Sequence, residues 1–409
     1  MSSPRSSARN YWKFIAFAVF AAAWGGNEFT PMMVFYRGER VFGDVFVDAL
    51  LASYAAGIAI SLLISGPLSD RYGRRTVMLP APAVALVGSA LIAAGETNSP
   101  LIFVGRVLSG ISIGMAMTAG GSWIKELSTP SFDPSAKPGA GARRATMSLT
   151  AGFGLGALLA GCLAEWGPAP GQTPYLIHIL LSVVSMAGLL TVPETRQSAH
   201  LNVKGSFWSD IATPVALHPR FLLAVLPIAP WVFGCAGVAY AILPSLTQDK
   251  VSIPIAFSAV ITMVALTFGF GVQQISDTYL RHGGTRGQQL GLGLIIAGML
   301  LAVWTAHERS LVGAAIAAII LGTAYGVCMI TGLTEVQQLA GPDDLGGLTA
   351  IFYAVTYLGF FFPMILSKMS EWFTYELMLG VGVVIAVLSL VLVTIVGNRF
   401  RPEAEKTEA

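Results

Sequence analysis

Charge is what this chain has least of. Only 11% of its 409 residues are Asp, Glu, Lys or Arg, against about 25% in a typical soluble domain. Hydrophobic residues make up 54%, and the mean hydropathy is +0.69. A surface of that composition is not built to face water, and hydrocarbon is the alternative. Cysteine is nearly as scarce: Cys162, Cys235 and Cys328 lie in separate apolar segments without close spacing. That pattern argues against a disulfide framework and against a zinc site. The five histidines (His178, His200, His218, His282 and His307) are equally scattered, so neither a metal nor another bound cofactor is expected. Basic residues nowhere cluster with aromatic platforms, which removes nucleic acid as a partner. A Ser/His/Asp set and an HExxH-type helix are both missing, and the connecting stretches are too short for a folded domain. A membrane enzyme or sensor is therefore not expected.

What the chain does have is long apolar runs. A bilayer core about 30 Å thick needs roughly 20 apolar residues per helix, and that length yields twelve spans: 11–35, 46–65, 76–95, 101–123, 146–166, 175–192, 221–243, 251–274, 288–306, 311–333, 346–367 and 375–396. The first run is too long for a signal-peptide core of roughly 7–15 residues and reads as a retained span. Most of the 45 glycines and several of the 22 prolines fall within these runs, as suits close packing and kinks in lipid. Of the 24 lysines and arginines, Arg37, Arg40, Lys250, Arg309 and Lys368 fall in one set of connections and Arg106 inside a span. The rest lie in the other set, in the termini or, for Lys13, at the very start of the first span, so the positive-inside rule places both termini in the cytoplasm. The expected fold is an all-α membrane protein of twelve helices in two pseudo-symmetric six-helix bundles. Residues 1–193 form one bundle, 194–219 a cytoplasmic linker, and 220–409 the second bundle with a short cytoplasmic tail. Faint repetition supports this: Gly105 and Gly114 in the fourth span match Gly313 and Gly322 in the tenth, and Asp70 with Arg74 matches Asp277 with Arg281. Two related halves are the expected signature of a transporter whose site lies between them.

The sharpest motif is Gly66-Pro67-Leu68-Ser69-Asp70-Arg71-Tyr72-Gly73-Arg74-Arg75, between spans two and three. It resembles the loop signature of the major facilitator superfamily at its glycine, leucine, aspartate, arginine, glycine and double-basic positions. The glycines are expected to permit a tight turn, and the basic residues to anchor it at an anionic leaflet. The resemblance implies a cytoplasmic gate of Gly66, Asp70, Arg71, Gly73, Arg74 and Arg75. In that gate Asp70 latches the halves against the positive helix end near Gly346. Its second-half copy at Asp277 is degraded.

Arg106, followed by Gly110 and Gly114, resembles the family's fourth-helix motif, which is linked to proton coupling. A charge at membrane depth is costly and usually functional, and it needs a partner. Span one offers Asn27 and Glu28 at a matching depth, roughly 10 Å from the outer end at 1.5 Å per residue. Glu28, Arg106 and Asn27 are therefore the expected coupling residues, with motion of the arginine letting Glu28 take up and release a proton. Pro31 leaves the Asn27 carbonyl without its helical donor. The glycine face of span five, with Gly152, Gly156 and Gly161, resembles an antiporter motif and is expected to pack between bundles. Ala157 stands there where that motif has proline. Trp24, Trp231, Tyr240, Tyr325 and Tyr353 are candidate cavity-lining aromatics, suited to an amphipathic or cationic solute. Pro193-Glu194-Thr195-Arg196 resembles a family motif at the end of span six.

These features imply a secondary transporter in the cytoplasmic membrane. Its expected partners are a small organic solute, protons and the lipid bilayer, and a monomer suffices for the mechanism. Proton-coupled export is the first reading. The alternative is nutrient or organic-acid uptake by symport or uniport, in which Arg106 binds an anionic substrate.

Overall fold

The computed structural model describes residues 10–39, 42–137, 139–196, 213–275, 285–340 and 345–399. All regular structure among them is helical. The first crossing, α1, consists of Trp12–Asn27 continuing as Phe29–Gly38. Among the described residues ten helices are long and apolar enough to cross a bilayer: α2 (Asp44–Tyr72), α3 (Arg74–Ala94), α4 (Ser99–Leu127), α5 (Ala140–Trp166), α7 (Phe221–Lys250), α8 (Pro254–Gln274), α9 (Thr285–Glu308), α10 (Leu311–Leu339), α11 (Gly347–Met369) and α12 (Tyr375–Gly397). The shorter α6 (Thr173–Leu189) completes the twelve.

Most of these helices overrun their apolar windows. α2 continues past residue 65 to Tyr72, and α10 past residue 333 to Leu339. The backbone bonds of a helix are internal, so it persists where side chains turn polar, whereas hydropathy marks only the part matched to hydrocarbon. Wide π turns interrupt α4 at Ala116–Gly120 and α7 at Phe221–Val225 and Val238–Ile242. The last of these precedes Pro244, which has no N–H for the carbonyl of Tyr240.

By contacts the chain divides into two compact units, Met1–Phe29 with Ala56–Trp208, and Thr30–Ala55 with Ser209–Ala409. In the first, α1 packs on α5 and α6, and α3 lies against α4 and α6. In the second, α10 packs on α8 and α9, and α9 on α12. The glycines paired in sequence do equivalent work in each. A Cβ added at Gly105 of α4 would lie 2.7 Å from the Gly88 carbonyl oxygen of α3, and one at Gly114 would strike Ser61 of α2. Correspondingly, a Cβ at Gly313 of α10 would strike Thr305 and Trp304 of α9, and one at Gly322 would lie 2.2 Å from the Ala265 carbonyl oxygen of α8. The fourth helix of each set thus touches the third and the second through matched glycines. The Asp277–Arg281 copy of the signature lies outside the described residues.

Candidate functional site

Glu28 sits where α1 loses a hydrogen bond. Pro31 has no N–H for the Asn27 carbonyl, and the regular helix breaks at Glu28 before resuming at Phe29. The Glu28 side chain is 0% exposed. His178 of α6 approaches it, with Nδ1 3.5 Å from Glu28 Oε1. Ser89 of α3 lies between them, its Oγ 2.6 Å from His178 Nδ1 and 3.4 Å from Glu28 Oε1. His178 Nε2 is 3.0 Å from the Ala21 carbonyl oxygen. The imidazole can lie this close to α1 because residue 25 is glycine: a Cβ there would fall 2.0 Å from His178 Cε1.

Arg106 of α4 is 1% exposed. Its guanidinium stacks 4.4 Å from the centre of the Phe29 ring, and Nη1 points at the Gly26 carbonyl oxygen at 3.5 Å. Its charge acts on the Glu28 carboxyl. Asn27 is turned to α5, where Nδ2 donates to the Phe153 carbonyl at 3.0 Å. The structure therefore gathers an acid, a base, a hydroxyl and a guanidinium from α1, α6, α3 and α4, all inside one unit and all buried. Burying ionisable groups at such depth is expensive and is tolerated where they do work.

The signature at 66–75 is mostly helix rather than loop. Residues 66–72 end α2 and Arg74 opens α3, so Gly73 alone leaves the helix, with φ +98°. That conformation suits glycine, and a Cβ there would meet the Glu194 carboxylate at 2.5 Å. Gly66 needs no such explanation: it is helical, and an added Cβ meets Thr118 at an ordinary 4.0 Å. The leaflet-anchor expectation is corrected for Arg71 and Arg74, which are both buried. Arg74 Nη1 bonds Asp70 at 2.7 Å and Nη2 bonds Glu126 at 2.9 Å. Asp70 also accepts from Arg196 Nη1 at 2.6 Å. Glu194 closes the arrangement by accepting from the backbone N–H groups of Arg74 and Arg75, at 3.1 and 2.8 Å. Thr195 donates to Glu126, and the Arg75 side chain reaches the Leu190 carbonyl at 3.2 Å. For Arg74, opposite charges available inside the protein take the guanidinium out of reach of headgroups.

The glycine face of α5 meets α1. A Cβ on Gly152 would lie 2.3 Å from the Phe20 carbonyl oxygen, and one on Gly156 would lie 2.6 Å from that of Trp24. Both glycines let α1 cross α5 at main-chain distance within the first unit, which is where their missing side chains are used. Gly161 is buried further along the same helix. Trp24 belongs to the first unit, edge-on to Phe20 at 5.8 Å. Trp231, Tyr240, Tyr325 and Tyr353 all fall in the second. There Phe233 of α7 is the hub, 5.5 Å from Tyr325, 4.3 Å from Tyr357 and 4.7 Å from Phe360 between ring centres. Tyr240 lies 6.2 Å from Phe360, Trp231 5.8 Å from Phe362, and Tyr353 5.8 Å from Phe352. A separate open groove of about 480 Å³, lined by Lys125, Ser128, Thr129 and Lys137 among others, lies at the α4–α5 connection and shares no residue with the Glu28 site.

The sequence profile of the Major Facilitator Superfamily matches residues 14–364. The chain belongs to that superfamily. It is a transporter and not an enzyme, and it is a multi-pass membrane protein. The multidrug transporter MdfA of Yersinia pestis is 26% identical over 95% of this chain and 94% of that protein. A chloramphenicol resistance protein of Pseudomonas aeruginosa is also 26% identical, over 82% of this chain and 78% of its own length. The solved structure of the nucleoside transporter NupG shares the fold, with a TM-score of 0.72 at 13% identity, over 97% of this chain and 100% of that one.

Within this superfamily framework, two residues of the site escape a reading by motif. Ser89 and His178 match no signature and sit in the third and sixth apolar runs, where a lone serine or histidine is unremarked. The available signal was polarity itself: a histidine at mid-span must find buried partners. Which partners it finds depends on the rotation of α3 and α6 about their axes, and no motif encodes that.

Proposed function

We propose that this transporter exports a small organic solute in exchange for protons, by alternating access, with Glu28 as the coupling acid and Arg106 as its counter-charge. The observation that carries the reading is the fully buried Glu28 carboxyl with a guanidinium acting on it and a second titratable side chain 3.5 Å away. A carboxyl placed so responds strongly to small helix movements, because Coulomb interactions in a low-dielectric interior change steeply with distance. Rocking that moves Arg106 relative to Glu28 then loads and unloads the proton. Relatives named for multidrug transport and chloramphenicol resistance support export of an amphipathic compound. The aromatic cluster around Phe233 offers faces on which such a solute can stack. Asp70 acts as the latch of the cytoplasmic gate, exchanging Arg196 for the helix start near Gly346. The protein works as a monomer in the cytoplasmic membrane with both termini inside.

The test is proton flux in proteoliposomes loaded with a pH-sensitive dye, comparing wild type with Glu28→Gln over lipophilic cations and small metabolites. A compound that drives proton movement in wild type is expected to drive none in the variant. A compound that moves equally well in both, without proton flux, overturns the reading and leaves the uptake or uniport alternative, in which Arg106 binds an anionic substrate.

A further inference from the structure

The coupling scheme above gives Ser89 no role and His178 none beyond its nearness to Glu28, yet the donors and acceptors of both can be counted. The Ala21 carbonyl can only accept, so His178 Nε2, 3.0 Å away, carries a hydrogen. Nδ1 is then the variable position, and Ser89 Oγ faces it at 2.6 Å. With a neutral ring, Nδ1 accepts and the Ser89 hydroxyl donates to it. The Oγ lone pairs are left facing Glu28 Oε1 at 3.4 Å, ready to accept from a protonated carboxyl. With a charged ring, Nδ1–H donates to Oγ, and the hydroxyl turns to donate to the Glu28 carboxylate. Both arrangements satisfy every bond in the row without moving a heavy atom far.

We propose that Glu28, Ser89 and His178 form one proton-holding unit, in which a proton passes between the Glu28 carboxyl and the His178 ring through the Ser89 hydroxyl. The step balances. The carboxyl O–H bond breaks as an O–H bond forms at Ser89 Oγ, while the original Ser89 O–H bond breaks as an N–H bond forms at Nδ1. A neutral acid and a neutral imidazole become a carboxylate and an imidazolium, with no net change of charge. The 3.4 Å link is near the limit of a hydrogen bond, so it is where helix movement interrupts or completes the relay.

A histidine that only packs would be satisfied by Ser89 and Ala21. The excess is the carboxyl beside it, whose Oε2 is buried and takes no hydrogen bond from the described residues. Of the other groups on the packed helices, α4 contributes Arg106, whose charge acts on Glu28. α1 contributes Trp24, α5 the Phe153 carbonyl through Asn27, and α6 itself Ser182, whose Oγ is 3.4 Å from His178 Nε2. Arg106 favours the carboxylate form, so its approach drives the proton towards His178 and its withdrawal returns it. The imidazole thus becomes the second station of the coupling proton.

This inference rests on Glu28 being the coupling acid, and its test separates the two. Infrared difference spectra of the purified protein follow the carboxyl band of Glu28 through a pH titration, the band being assigned by its loss in Glu28→Gln. Ser89→Ala and His178→Gln are each expected to shift the pH at which the band disappears, and to cut coupled proton flux about tenfold, the scale of one lost hydrogen bond to a charged group. Ser89→Thr, which keeps the hydroxyl, is expected to restore both. Thermal midpoints identify any variant that fails to fold, and the remaining one then decides. A band that disappears at the same pH in wild type and in folded Ser89→Ala or His178→Gln overturns the relay. Because the spectra need no substrate, normal flux in Glu28→Gln would count against the coupling reading alone and leave the relay to be judged by the band.

Discussion

At the scale of single residues, the connection between α4 and α5 shows how charge is used outside the membrane. Arg144 Nη2 lies 2.8 Å from Asp133 Oδ2, Nη1 donates to Ser128 Oγ at 2.9 Å, and the guanidinium stacks 3.8 Å from the centre of the Trp12 ring. Asp133 also accepts from the hydroxyl of Ser135. That hydroxyl first, and Arg144 second, hold the Asp133 carboxyl below its usual value of 3.8. The sign follows: a lowered folded-state value favours the ionised form in the fold, so the contribution is complete above the ordinary value and is lost as pH falls through the lowered one. Hydrogen-exchange protection factors of residues 128–137, corrected for the intrinsic pH dependence of amide exchange, are expected to hold down to about pH 4 and to fall below it. In Asp133→Asn the same segment is expected to show lower protection factors at neutral pH and little further change in them with acid.

Between helices, the recurrent device is a glycine on which another backbone rests. The Gly322 site is the tightest of the matched pairs, with the Ala265 carbonyl oxygen 2.2 Å from an added Cβ. Backbone cannot swing aside as a side chain can, so Gly322→Ala is expected to destabilise by about 1–3 kcal/mol, as overpacking does. Gly293 on α9 is the control, because a Cβ there meets nothing within 4 Å. Gly293→Ala is expected to be neutral or stabilising by up to about 1 kcal/mol, from helix propensity alone. Thermal unfolding in detergent separates the two; equal midpoints for both variants would show that α8 and α10 are not in main-chain contact. Which glycines are of which kind could not be read from spacing. Gly66 lies in the family signature and has room for a side chain, whereas Gly25 lies in no motif and has an imidazole against it.

For the molecule as a whole, the chain's division into units does not follow its order. Residues 30–55 belong with the second unit, and there Asp48 is fully buried. It accepts from Arg37 Nη2 at 2.5 Å and from the hydroxyl of Ser367 on α11. Removing one member of a buried ion pair typically costs about 3–5 kcal/mol, because the other charge is stranded. Among the described residues Asp48→Asn leaves Arg37 only the exposed Asp44 carboxylate, 3.5 Å from its Nε, and is expected to destabilise by up to that amount. Adding Arg37→Gln is expected to recover part of the loss, measured as a double-mutant cycle on unfolding midpoints. Strict additivity would mean the pair does not couple. Neither residue draws attention in sequence: Arg37 reads as an ordinary connection residue, and Asp48 as the polar start of a span.

By itself, the sequence determined the number of crossings, their all-helical character and the superfamily, because lipid leaves a backbone few options and writes them as long apolar runs. It also singled out Glu28 and Arg106, since charges at membrane depth are rare enough to stand out. Tertiary structure decided everything that depends on how each helix is rotated and which neighbour it meets. It turned Gly152 and Gly156 towards α1, directed Arg74 at Asp70 and Glu126, and placed Glu194 over the turn at Gly73. It brought Ser89 and His178 to Glu28 from helices far away in the chain. Hydrophobicity drives a span into the bilayer without regard to its azimuth. The azimuth is chosen by close packing and by pairing of the few buried polar groups, and both exist only once the helices have met.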